Sequence, residues 1–208
     1  MAWRNASVIR SALEIFMPRL HCPRCQRPEG HCLCALIPQL PSRTRVLILQ
    51  HPSEADHALN TARLAHLGLV NSELVVTEQV PSALWEARDG QAHVLFPGEG
   101  STPLATASTG PVQLIVLDGT WRKARKLLHL NPALAALPRV SLADAAPSRY
   151  RLRKAPGPGA LSTIEAIVAA LEVLEAPASF QPLLAPFDAL IEGQIKAMGE
   201  ETYQRNHM

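Results

Sequence analysis

Asp118-Gly119-Thr120-Trp121 lies between an apolar run, Leu114 to Leu117, and a cation-rich stretch, Arg122-Lys123-Ala124-Arg125-Lys126. A carboxylate at the end of a buried strand can take a proton from a bound substrate, and partial burial raises its pKa towards the range useful for that task. In open α/β sheets ligands gather at the carboxyl ends of the strands, and Gly119 permits a sharp turn at that point. On the helix that follows, Arg122, Arg125, Lys126 and His129 share one side by i, i+3, i+4, i+7 spacing. Ala124, Leu127 and Leu128 point towards a core. A lone carboxylate thus stands beside a cationic stripe suited to phosphate. Asp118 as a helix N-cap and Trp121 as core packing are the plainer roles, and the residues alone leave both open.

The second chemical signal is the cysteine cluster. Cys22-Pro-Arg-Cys25 and Cys32-Leu-Cys34 give the spacing C-x2-C-x6-C-x-C, and the chain has no cysteine elsewhere. Four thiolates on two tight turns can fill a tetrahedral structural zinc site. Two disulfides or four free thiols are the alternatives, the former disfavoured in a reducing compartment. His21 and His31 flank the cluster and could replace one cysteine, while Arg19, Arg24 and Arg27 make the knuckle basic.

Three further patterns fall at strand ends or helix starts: His51-Pro52-Ser53-Glu54, Phe96-Pro97-Gly98 and Ser162-Thr163-Ile164-Glu165. The last is a capping box, and a helix start of this kind can also receive a carboxylate or phosphate. The run Arg149-Tyr150-Arg151-Leu152-Arg153-Lys154 alternates cations with Tyr150 and Leu152. It reads as a solvated strand face or as a nucleic-acid track.

The elements that must position these residues follow from periodicity. Strands are expected at Arg45–Gln50, Leu74–Thr77, His93–Phe96, Leu114–Leu117 and Pro138–Leu142. Helices are expected at Ala55–Leu67, Pro81–Arg88, from Trp121 to Leu130, from Ser162 to a stop at Pro177, and from Phe187 to Met198. This alternation predicts an α/β fold, a mostly parallel sheet with helices on both faces. The organisation is an N-terminal extension or helix over residues 1–20, a zinc knuckle over 21–40, and a main domain over 41–208.

Composition sets the bounds. Hydrophobic residues at 47% with charged residues at 18% predict a packed core rather than disorder. Net charge is +2, so any affinity for a polyanion must come from local clustering. No apolar run reaches the roughly 18 residues that span a bilayer. The first twenty residues do not read as a signal peptide. A cytoplasmic protein with no membrane association is expected.

With these residues assembled, the chain resembles the DTW-domain family over about residues 17–198. The resemblance rests on the knuckle, His51-Pro-Ser-Glu54, Thr61-Ala-Arg-Leu64, Leu95-Phe-Pro-Gly98, Leu117-Asp-Gly-Thr-Trp121, Asn131-Pro132, Tyr150-Arg-Leu-Arg-Lys154 and Leu161-Ser-Thr-Ile-Glu-Ala166. It implies a tRNA-uridine aminocarboxypropyltransferase. Such an enzyme moves the 3-amino-3-carboxypropyl group of S-adenosylmethionine to N3 of a tRNA uridine and releases methylthioadenosine. It also implies a SPOUT-like fold with a knotted cofactor site.

On that reading Asp118, Thr120 and Trp121 are catalytic. Leu95, Pro97, Gly98, Leu117, Ser162, Thr163 and Glu165 bind the cofactor. Cys22, Cys25, Cys32 and Cys34 hold structural zinc, and Arg122, Arg125, Lys126, Arg149, Arg151, Arg153 and Lys154 hold tRNA. Two other functions share parts of this pattern: a SPOUT-like RNA methyltransferase, and a non-catalytic zinc-containing RNA-binding module. No protein partner is implied, and the oligomeric state is open.

Overall fold

The run Arg45-Val-Leu-Ile-Leu-Gln50 forms strand β1 (Arg45–Gln50), buried from Val46 onward. In a strand, successive side chains point to opposite faces. An almost unbroken apolar run therefore requires cover on both sides, and the structure supplies it. In the computed structural model, which describes residues 20–86, 88–104, 112–143, 147–152 and 160–207, six strands form one sheet. The others are β2 (Ser72–Val76), β3 (Gln91–Leu95), β4 (Thr102–Pro103), β5 (Val112–Asp118) and β6 (Arg139–Ser141). Their order is β2-β1-β5-β3-β6-β4, and every pairing is parallel.

Seven α-helices accompany the sheet among the described residues: α1 (Thr61–Gly68), α2 (Ala83–Glu86), α3 (Trp121–Leu130), α4 (Pro132–Ala135), α5 (Thr163–Leu174), α6 (Ala185–Met198) and α7 (Glu200–His207). Val46 and Ile48 of β1, with Leu114 and Val116 of β5, pack against Leu64 of α1, Ile167 and Leu171 of α5 and Phe187 of α6. The alternate residues Leu47, Leu49 and Ile115 meet Trp85 of α2, Leu128 of α3 and Leu134 of α4. Each fully buried Leu or Ile in these layers contributes roughly 1.5–3 kcal/mol by leaving water.

Several expected boundaries move, each for a local reason. The helix expected from Ala55 begins at Thr61, because Asn60 is its N-cap and accepts the Arg63 N–H at 3.0 Å. The residues before it form a separate 3-10 turn, Pro52–Glu54, started by His51, whose Nδ1 accepts the Ser53 N–H. Strand β2 starts at Ser72, where the Ser72 hydroxyl donates to the Leu69 carbonyl at 2.8 Å and so ties the strand to the end of α1. The short edge strand β4 and helices α4 and α7 were not expected. The expected N-terminal helix lies, apart from Leu20, outside the described residues.

The knuckle is joined to this body. Cys25, Leu33 and Ile37 belong to the same apolar cluster as α1, α5 and α6. Leu40 bridges to Leu69 at the end of α1. Buried Glu175, just past α5, accepts the backbone N–H groups of Thr44 (2.8 Å) and Arg43 (3.1 Å), which fixes the entry into β1.

Candidate active site

Val46, Ile48 and Gln50 share one face of β1, and Leu114, Val116 and Asp118 share the same face of β5; Gln50 and Asp118 are direct cross-strand partners. Each apolar stripe therefore ends in a polar residue at the carboxyl edge. Gln50 is wholly buried and Asp118 is 8% exposed. Gln50 Nε2 donates to Asp118 Oδ2 at 2.7 Å and to Asn60 Oδ1 at 3.2 Å. From the other side, the hydroxyl of Thr163 donates a short hydrogen bond to Asp118 Oδ1. Thr163 opens α5, so one carboxylate joins β1, β5 and α5.

Burial pushes the Asp118 carboxyl above its ordinary value, while the hydrogen bonds from Thr163 and Gln50 pull it back down. Nearby Glu54 adds to the upward push, and His57 opposes it. Each carboxylate oxygen can accept two hydrogen bonds, so Asp118 retains acceptor capacity beyond these two donors. It is not the N-cap of α3. Thr120 holds that place, with Lys123 N–H reaching its hydroxyl at 3.4 Å. Gly119 lies between them at φ +149°, and a Cβ there would meet Lys123 Cβ at 3.1 Å.

Trp121 is not core packing: it is 36% exposed and meets Phe96, just past β3, edge to face with ring centroids 5.5 Å apart. Pro97 and Gly98 follow in a turn closed by Ser101, whose N–H and hydroxyl both donate to the Gly98 carbonyl. Gly98 has φ +141°, a backbone state that favours glycine. Leu95 packs with the α1–α5–α6 layer and Leu117 with the α2–α3–α4 layer. The ends of β1, β5 and β3 thus bring His51, Asp118 and the Phe96–Gly98 turn to one rim.

His51 takes a structural post there. Its Nδ1 accepts the Ser53 N–H, so Nε2 carries the proton and points to Glu78 at 2.7 Å. Glu78 also binds Lys126 at 2.7 Å, which holds its carboxyl below the usual range. Lys123 is bound to Glu54 at 2.6 Å. Arg122 and Arg125 are exposed and have no hydrogen-bond or ion-pair partner among the described residues.

Arg149 and Arg151 lie along α6, paired with Asp188 at 3.0 Å and with Glu192. Arg153 and Lys154 lie outside the described residues. Exposed ion pairs of this kind contribute about 0–1 kcal/mol each, so a phosphate can replace the acidic partner.

Ser162 and Glu165 form the expected capping box. The buried Glu165 carboxylate does more: it accepts from Ser162 N (2.9 Å), Ser162 Oγ (2.6 Å), Ser148 Oγ (2.8 Å) and Arg149 N (2.6 Å). It anchors the chain arriving from β6 onto the start of α5. Beside it lies a cavity of about 500 Å³ walled by Leu104, Leu142, Leu161 and Val168, with Glu165 and Arg149 at its polar side. Of the residues assigned to the cofactor from sequence, Glu165 alone lines it.

The four cysteines converge. All four Sγ atoms lie within 4.8 Å of one another, with Cys22–Cys34 at 3.6 Å and Cys25–Cys32 at 3.8 Å. A tetrahedral thiolate site with metal–sulfur bonds near 2.3 Å has sulfur–sulfur edges of about 3.8 Å. Neither pair is a disulfide. Backbone N–H groups of Cys25 and Arg24 lower the Cys22 thiol to about 6, whereas burial and neighbouring sulfurs push Cys34 up to about 12. The four sulfurs lie close enough for one cation to join them, and this donor set could hold a metal ion.

Sequence reasoning missed Gln50 and Asn60 as supports of Asp118, Glu78 as the partner of His51, and the pairing of Phe96 with Trp121. The one available signal for Gln50 was a polar residue closing an otherwise apolar strand.

The fold and rim define an α/β protein with a buried carboxylate at the carboxyl edge of a parallel sheet and a four-cysteine knuckle that could hold a metal ion. Residues 19–195 match the DTW domain family model, and the chain belongs to that family. It is 34% identical over 190 residues to tRNA-uridine aminocarboxypropyltransferase 2 of Drosophila melanogaster, covering 85% of this chain and 76% of the relative. It is 29% identical over 204 residues to the protein of that name from Macaca fascicularis, covering 91% and 68%. The tRNA-uridine aminocarboxypropyltransferase A of Arabidopsis thaliana is 30% identical over 190 residues, covering 74% and 72%. No solved structure matches the chain significantly. No helix among the described residues is long and apolar enough to cross a membrane.

Proposed function

We propose that the protein is a tRNA-uridine aminocarboxypropyltransferase that uses S-adenosylmethionine as donor. The observation that carries this reading is Asp118, a buried carboxylate held by Gln50 and Thr163 at the carboxyl edge of the sheet, in a chain of the DTW family. When bound, S-adenosylmethionine supplies an activated aminocarboxypropyl carbon whose bond to sulfur breaks with the electron pair passing to sulfur, leaving neutral methylthioadenosine.

The protein's part is to hold the uridine and remove the proton from N3. Asp118 accepts that proton as the new N–C bond forms, and its raised pKa makes it a stronger base than an exposed aspartate. Thr163 and Gln50 aim it and favour its ionised form. The exposed face of Trp121, backed by Phe96, suits stacking on a base turned out of its helix. The cavity beside Glu165 is within the roughly 300–1,000 Å³ typical of small-molecule sites, and its leucine walls suit adenosine. The amino-acid end would then lie at the start of α5, by Ser162 and Thr163, and the turn at Leu95, Pro97 and Gly98 with Leu117 would close the adjoining rim.

In this reading zinc occupies the four cysteines as a closed structural site, because four thiolates leave no open position for a reacting water. Thr120 fixes the Asp118-to-α3 turn. Arg122, Arg125, Lys126, Arg149 and Arg151 contact tRNA phosphates. The parallel sheet and the family resemblance support a SPOUT-like knotted path, and cysteines that serve as metal ligands rather than disulfides suit a cytoplasmic setting. The test is incubation with S-adenosylmethionine and unmodified tRNA, followed by mass spectrometry of nucleosides and small products. Methylthioadenosine and a uridine heavier by the aminocarboxypropyl group are expected. S-adenosylhomocysteine with a methylated base would instead establish a methyltransferase.

A further inference from the structure

The cationic stripe on α3 is not the molecule's only concave basic surface. On the knuckle side, a groove of about 630 Å³ runs between the cysteine turns and the segment from Ala55 into α1. His21, Arg27 and His31 line its knuckle wall, and His57 and Arg63 line the opposite one. Asp56 is the only Asp or Glu among its described lining residues. Arg27 spans the groove floor. Its Nη1 donates to the Ala58 carbonyl at 2.7 Å and its Nε to the His31 carbonyl at 3.2 Å, so knuckle and loop are held in register. The side chain of Arg63, in the first turn of α1, has no hydrogen-bond or ion-pair partner among the described residues.

The groove is tied to the active site through buried side chains. Asn60 lines it, and the Asn60 Oδ1 that caps α1 also accepts from Gln50, the residue that holds Asp118. His57 of the same wall is close enough to Asp118 to favour its charge. A strand lying in this groove would therefore run beside the loop that borders the carboxylate.

We infer that the groove between the knuckle and α1 is a second RNA-backbone channel, which takes the phosphates of the tRNA strand flanking the target uridine. This rests on the tRNA reading proposed above. It gives the knuckle a part in substrate binding beyond bracing the fold. Charge complementarity favours this occupant over the chain's own residues 1–19, which carry Arg4, Arg10 and Arg19 against Glu14 and would be repelled by a cationic groove. Phosphates dominate the affinity of such contacts and make it depend on salt. Arg27, fixed by two carbonyls, presents its remaining N–H groups without the entropy cost of ordering a free side chain.

The experiment uses the full-length, metal-loaded protein and unmodified tRNA, with Arg63→Gln, Arg63→Glu and an exposed control outside the groove lining, Arg205→Gln. Filter binding across a salt series, metal content, S-adenosylmethionine affinity and product formation are measured for each. Arg63→Gln should lower the slope of log affinity against log salt by about 0.7–0.9 for the lost contact. Arg63→Glu should weaken tRNA binding tenfold or more. Metal content and cofactor affinity should match the wild type, and Arg205→Gln should behave as wild type throughout. Unchanged slope and affinity in both Arg63 variants, with the wild type forming modified tRNA, would overturn the channel and leave the proposed activity standing. Absence of any modified nucleoside from the wild type, with the Arg63 effects on tRNA binding intact, would overturn the activity and leave an RNA-binding groove.

Discussion

Thr163, the first residue of α5, gives its hydroxyl hydrogen to Oδ1 of Asp118, the last residue of β5. Ser162 before it and Glu165 after it are turned inward to one another and to the chain arriving from β6. The start of α5 thus has two jobs divided between adjacent side chains: Glu165 holds the backbone in place, and Thr163 sets the carboxylate. The following expectations come from that division and from the surrounding charge.

Asp118→Asn preserves the shape of the side chain and removes the base. Turnover should fall about 100-fold or more, the usual scale for a general base, with tRNA and S-adenosylmethionine affinities little changed. Single-turnover rates and thermal melts of Asp118→Asn and Asp118→Ala distinguish this from a structural role. A fully active Asp118→Asn protein would remove Asp118 from the mechanism.

Thr163→Val removes one of the two donors that favour ionised Asp118, so the carboxyl, already raised by burial, should rise further. The base must be ionised to act, and activity is lost as pH falls through its pKa. The acid limb of the kcat/KM profile should therefore move to higher pH in Thr163→Val, and a limb that stays or moves lower sinks the assignment. The stability effect has the opposite dependence. With a folded-state pKa above the unfolded value, this group's contribution is greatest below the unfolded pKa of about 3.9 and is lost as pH rises through the folded one. Melts of Asp118→Asn across that window should lack this component.

One zinc per chain should be found by elemental analysis, bound by Cys22, Cys25, Cys32 and Cys34. Cys25→Ser should lose the metal and melt at lower temperature, since metal binding and folding are linked. Purified protein without metal and with four titratable thiols would end the zinc assignment.

Arg122 and Arg125 on α3 have no partner among the described residues, whereas Lys126 is shared with Glu78 and Lys123 with Glu54. Replacing both arginines by Ala should weaken tRNA binding and reduce the salt slope by about 0.7–0.9 per lost phosphate contact. Replacing Arg149 and Arg151 should have a smaller effect on binding, because each contact with RNA first displaces Asp188 or Glu192. Equal losses from both pairs would show that the acidic partners on α6 do not compete.

The site was legible in sequence where a local rule applied. Asp118 followed an apolar run and preceded a glycine, and Ser162 and Glu165 had the capping spacing, so strand end and helix start were both visible. Four cysteines on two short turns announced their own convergence. What local rules could not show was the partner across the sheet. Gln50 and Asp118 are 68 positions apart and meet only because β1 and β5 are neighbours in register. The strand order that makes them neighbours is a property of the whole chain. Helix α1 shifted for a similar reason: Asn60 was an inconspicuous residue until its oxygen was seen to serve both the Arg63 N–H and Gln50. The pairing of Arg149 and Arg151 with α6 was equally hidden, because alternating cations read the same whether their counter-charges come from the protein or from RNA.

The carboxylate at the rim draws on positions 50, 118 and 163, and the last of these belongs to the final third of the polypeptide. During synthesis, a ribosome-bound chain that has released β1 and β5 still lacks the hydroxyl that orients the acid. On the proposed mechanism, competence arrives only when Thr163 clears the exit tunnel and α5 docks. On that mechanism an unfinished product does not act on the tRNAs that crowd the translating ribosome.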